Sequence, residues 1–115
     1  DIRMIFLTQP MLFGDSKYWQ GIEGSFYWFK EPKGVSAATY WKFMEVFNKE
    51  LLDVCRTTGV ECVDLASHIP HSEEYFYDAV HFTEKGAARV ADEVYKYLIE
   101  HPPADLTISL KEGSE

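Results

Sequence analysis

The sequence predicts an α/β fold with parallel strands. Two observations carry that expectation. Short apolar runs rich in strand-forming residues alternate with long stretches whose apolar positions recur at three-and-four spacing. Their order is strand, long loop, helix, strand, loop, helix, which is the alternation of a parallel sheet with helical crossovers.

The elements follow in order. "IRMIFL" (2–7) is mostly apolar and partly β-branched, and reads as a buried strand closed by "TQP", because Pro10 cannot continue a central ladder. Residues 11–34 carry Gly14, Gly21, Gly24, Pro32 and Gly34 among many aromatics, and read as a long irregular loop of the functional kind. Ser36 is placed to cap a helix over 37–57. Tyr40, Phe43, Met44, Phe47, Leu51, Val54 and Cys55 mark its buried face, and Gly59 stops it. "VECVDL" (60–65) is a second short strand, followed by a loop with a short helical turn. Thr83 caps a closing helix over 84–100, with Ala87, Val90, Ala91, Val94, Tyr95 and Leu98 on one face and Pro102 and Pro103 at its end. Residues 102–115 form a tail that either adds an edge strand at 106–110 or lies loose.

The chain has 115 residues, 46% of them hydrophobic and 16% aromatic, enough for a packed core in one domain or part of one. Its formal charge of −8 disfavours nucleic acid and anionic membrane surfaces, both of which need clustered Lys and Arg. No apolar run reaches the roughly 20 residues that span a bilayer. Cys55 and Cys62 do not match a zinc-site spacing and read as two reduced structural thiols, which leaves the compartment open. The chain runs from Asp1 straight into a strand pattern, so its start reads as an internal cut.

In an open parallel sheet, ligands bind outside the carboxyl ends of the strands. Thr8, Gln9, Pro10, Asp64 and the loop with Asp78 and His81 all fall on that rim. Asp78 precedes His81 by three residues, just ahead of the closing helix. A carboxylate there can hold one ring nitrogen of His81 and leave the other facing a cleft, as a general base requires. A turn capped by Asp78, with His81 leading into the helix, accounts for the same spacing, and spacing alone leaves both open.

The stretch "FYDAVHFTEKGAARVADEVYKYL", with "IFLTQP", "NKELLDVCRTTGV" and "ECVDL" before it in the same order, resembles the C-terminal half of the SGNH, or GDSL-type, serine hydrolases. The resemblance spans roughly residues 2–100. It implies that the chain is a single partial domain, the C-terminal half of a flavodoxin-like three-layer α/β/α sandwich. It also implies that Asp78 is the triad acid and His81 the triad base of a carboxylic ester hydrolase. No metal or organic cofactor is needed. The chain departs from the family in lacking a G-x-N-D block and a first strand carrying the nucleophile. Gly14-Asp15-Ser16 is a decoy. It follows Pro10 in an aromatic loop, and only one helix and one strand separate it from His81. The nucleophile and oxyanion donors are therefore expected from elsewhere. The implied partners are the N-terminal half of the same hydrolase, or another copy of this chain, and a small ester.

Gln9 at the first strand's end and Trp28 in the aromatic loop are candidates for substrate contact. Asp64 is expected to cap the turn after its strand. His68 and His71, with Glu73 and Glu74 nearby, read as surface loop, since Pro70 keeps both rings off one helix face. His101 suits the negative end of a helix dipole. The alternative function is a non-catalytic interaction or carbohydrate-binding module using the acidic surface and aromatic loop.

Overall fold

The structure, a computed structural model, describes residues 2–13 and 37–103. They form a mixed α/β unit with strand β1 (Ile5–Leu7), helix α1 (Ala37–Thr58), strand β2 (Glu61–Val63), a 3-10 turn (Leu65–Ser67) and helix α2 (Glu84–Glu100). β1 and β2 pair in parallel, with Ile5 opposite Glu61, Phe6 opposite Cys62 and Leu7 opposite Val63. Both strands are shorter than their apolar runs, because a ladder extends only where a partner stands opposite. The aromatic loop beyond Phe13, Gly14-Asp15-Ser16, Trp28, the Ser36 cap and the 106–110 strand lie outside the described residues.

α1 ends where the sequence stops it. Gly59 has φ 74°, the left-handed region that glycine enters without penalty, and its N–H returns to the Cys55 carbonyl at 2.8 Å. This reversal brings the end of α1 over β2, where Cys55 and Cys62 form a disulfide with Cα atoms 6.1 Å apart. The expectation of two reduced thiols is thereby corrected. The six residues between the cysteines contain the turn that sets them face to face.

Residues 11–13 are the hinge of the core. Their side chains alternate as in a strand. Met11 and Phe13 pack with Ala79 against Tyr40, Trp41, Met44 and Val80. Leu12 joins Leu65, Ile69 and Phe76, with Tyr75, Phe82 and Val90 around them. The Leu12 N–H donates to the Ala79 carbonyl at 2.9 Å, tying this segment to the loop before α2.

The helix faces are less covered than their periodicity predicts. On α1 only Cys55 of the expected face is buried; Tyr40, Met44 and Leu51 are half-buried, while Phe43, Phe47 and Val54 are exposed. On α2, Val90 and Val94 are half-buried, whereas Ala87, Ala91, Tyr95 and Leu98 are exposed. The cause is the width of the sheet. Among the described residues, two strands of three paired residues cannot cover two helices. Phe6 and Leu7 of β1 are themselves more than 40% exposed, although parallel strands normally have both faces covered.

Candidate active site

The rim of the sheet is organised by one buried hydroxyl. Thr8 is 1% exposed. Its N–H extends the ladder to the Val63 carbonyl at 3.1 Å. Its Oγ1 donates to Asp64 Oδ1 at 2.9 Å and accepts from the Ala66 N–H at 2.8 Å. Asp64 was expected to cap the turn directly. Its side chain makes no capping bond, and the Thr8 hydroxyl reaches the turn's N–H in its place. Next to Thr8, Gln9 is clamped to α1: its N–H donates to Asn48 Oδ1 at 2.8 Å, and Asn48 Nδ2 donates to the Gln9 carbonyl at 2.9 Å.

A groove of about 540 Å³ opens beside this rim, lined by Gln9, Met11, Trp41, Met44, Asp64 and His71 among others. Gln9 reaches the groove wall, with its side-chain amide turned back to the Pro10 carbonyl at 2.8 Å. His71 Nδ1 lies 2.7 Å from the Met11 carbonyl; a carbonyl only accepts, so the ring hydrogen is on Nδ1. Neither Asp78 nor His81 lines the groove. His71 in the groove is held by a backbone carbonyl, whereas His81 is held by a carboxylate. The two regions meet through the core, where Ala79 and Val80 pack with Met11, Trp41 and Met44.

The Asp78–His81 turn is closed at its base by an antiparallel bridge between Phe76 and Phe82. Phe76 is fully buried, and its ring lies 5.0 Å from that of Phe82. Above the bridge, Asp78 uses both carboxylate oxygens. Oδ1 accepts from the Val80 N–H at 2.9 Å and the His81 N–H at 2.8 Å. Oδ2 stands 2.6 Å from His81 Nδ1. Burial alone would raise the Asp78 carboxyl. The two backbone N–H groups and the imidazole outweigh it and hold the carboxyl below its ordinary value. An ionised carboxylate only accepts, so the ring hydrogen sits on Nδ1, and the neutral ring keeps a lone pair on Nε2. The His81 side chain is 64% exposed.

α2 starts immediately beyond. Thr83 Oγ1 accepts from the Gly86 N–H at 3.1 Å and donates to the Glu74 carbonyl at 2.6 Å. The Thr83 N–H reaches the Tyr75 carbonyl at 3.0 Å. Lys85 pairs with Glu74 across the same junction. A Cβ on Gly86 would lie 2.0 Å from the Tyr75 oxygen, so only glycine fits this approach.

The other histidines have separate partners. His68 Nδ1 is 3.3 Å from Glu93 Oε2, on a carboxylate that also pairs with Arg89 and Lys96. His101 caps the end of α2, with Nδ1 3.0 Å from the Tyr97 carbonyl. Among the described residues, no group of three potential ligands is placed to hold a metal ion. No helix among them is long and apolar enough to cross a membrane.

Three contributors escaped the sequence reading: Asn48, Thr8 as the bridging hydroxyl, and Tyr77, whose ring stacks on His81. Gly86 carried a signal, since glycine in the first turn of a helix costs stability without a reason of this kind. Compared with protein families, with curated proteins and with solved structures, the chain matches none.

Proposed function

We propose that this chain supplies the acid and base of a serine ester hydrolase of the SGNH type, as the C-terminal half of a three-layer α/β/α domain. The observation that carries this reading is the Asp78–His81 pair. The carboxylate is fixed by two backbone N–H groups and bonded to Nδ1 at 2.6 Å, and the imidazole side chain is mostly exposed. In the reaction, His81 Nε2 takes the hydroxyl proton of a serine as its oxygen attacks the acyl carbon. Asp78 holds the ring and stabilises the imidazolium. The ester C–O bond then breaks, and Nε2 returns the proton to the leaving alkoxide. Water attacks the acyl-enzyme by the same route and releases the acid. No cofactor enters these steps.

The serine and oxyanion donors come, in this reading, from the N-terminal half of the same hydrolase or from another copy of this chain. The exposure of β1 supports such a partner. Among the described residues β1 has β2 on one side only, and a free apolar edge invites a further strand. The substrate is a small ester.

The test is hydrolysis of a short-chain aryl ester by the chain expressed with its native upstream sequence. His81→Ala is expected to abolish turnover; full activity in that variant refutes the reading. A fluorophosphonate probe should label the longer protein and leave this chain alone unlabelled. Labelling of the isolated chain that disappears in Ser16→Ala would reassign the nucleophile to Ser16.

A further inference from the structure

A hydrogen bond to Nδ1 fixes one point of the His81 ring, and the ring can still rotate about it. The second constraint is Tyr77. Its ring lies within 11° of parallel to the imidazole, with centroids 5.6 Å apart. The backbones are linked as well, the Tyr77 N–H donating to the His81 carbonyl at 3.1 Å. The Phe76–Phe82 bridge holds the two chain segments opposite each other immediately beside this contact. Burial does not explain the aromatic ring, because Tyr77 is 69% exposed. Large aromatics of the core sit elsewhere, as Phe76 at 0% does. Among the described residues, Tyr77 lies outside the buried clusters, and its ring stacks on that of His81.

We propose that Tyr77 is a positioning residue for His81. It holds the plane of the imidazole so that Nε2 meets the incoming hydroxyl. Its π face also favours the ring when that ring carries positive charge, as it does after taking the serine proton. This inference rests on the hydrolase reading above. Tyr77 acts through the ring face and not through its hydroxyl, so phenylalanine should substitute for it and an aliphatic residue should not.

The experiment has two arms. In carbon–proton correlation spectra of the chain, the His81 ring protons should carry a ring-current shift that Tyr77→Leu removes and Tyr77→Phe keeps, while amide signals away from the turn stay in place. In ester hydrolysis by the chain with its upstream sequence, Tyr77→Leu should lower kcat about three- to tenfold with little change in KM. Tyr77→Phe should restore wild-type turnover. Wild-type kcat in Tyr77→Leu, or no rescue by Tyr77→Phe, overturns the proposal. If His81→Ala keeps full activity, the hydrolase reading falls and the catalytic role of Tyr77 with it. A failure confined to the Tyr77 variants, with His81→Ala inactive, removes the positioning role alone.

Discussion

Replacing Gly86 with alanine sets two effects against each other. In an ordinary helix, alanine is favoured over glycine by about 1 kcal/mol. Here the new Cβ would stand 2.0 Å from the Tyr75 oxygen, 2.9 Å from its carbonyl carbon and 3.1 Å from Phe82 Cβ. The oxygen cannot step aside, because it accepts the Thr83 N–H at 3.0 Å. Relief therefore requires the start of α2 to back away, which stretches that bond and the Thr83–Gly86 cap. Overpacking of this kind costs about 1–3 kcal/mol, and loss of the cap about 1 kcal/mol more. Against the propensity gain, the net expectation is a loss of about 2 kcal/mol, or about 10 °C in Tm for a domain of this size. Thermal unfolding followed by far-ultraviolet circular dichroism at fixed pH measures it directly. A Gly86→Ala protein as stable as wild type, or more stable, would show that α2 does not pack against Tyr75 as described.

Thr8→Val keeps the shape of the side chain but removes the hydroxyl between Asp64 and the Ala66 N–H; denaturant unfolding should show a loss of about 2 kcal/mol, and an unchanged midpoint would refute the bridge. Hydrogen bonding from Arg3, against the opposing effect of desolvation and with help from the Tyr97 hydroxyl, lowers the Glu61 carboxyl to about 2. A lowered folded-state value stabilises above the unfolded carboxyl range near ~4.3 and is lost as pH falls through the folded value. Arg3→Ala should therefore flatten the acid-side loss of stability between those limits, and an unaltered acid limb would remove the pair from the account. Unfolded but unreduced protein should react with no thiol reagent, since Cys55 and Cys62 are joined; two reactive thiols would disprove the bridge.

The helices were legible because their signals are local. Three-and-four spacing, Gly59, Thr83 and Pro102 bound two segments, and α1 and α2 occupy Ala37–Thr58 and Glu84–Glu100, within a residue of the expectation at each end. The strands were legible in kind but not in extent. Nothing in "IRMIFL" records that only Ile5, Phe6 and Leu7 find residues opposite. Periodicity likewise told which residues of α1 share a face, but whether anything covers Phe43 or Phe47 is a property of the rest of the fold. The Asp78–His81 contact could be anticipated because both residues lie in one turn. The Cys55–Cys62 bridge and the Asn48 clamp depend on how separate elements come to rest, which no local pattern encodes; the Tyr77 stack is local, but no spacing rule outside a helix announces it.

Among the described residues, the hydrogen bonds and ring contacts that orient Asp78 and His81 come from residues 76–82, and Thr83 and Gly86 anchor the loop to the helix that follows. The pair thus takes its hydrogen bonds from its own loop, while the Leu12 N–H and the packing of Ala79 and Val80 on Met11, Trp41 and Met44 seat that loop on the core. In the hydrolase reading proposed above, a complementing piece would need to bring only an alcohol and a cradle for negative charge. On that same reading, recombining such pieces restores turnover by docking, provided the 11–13 segment stays with the loop it holds.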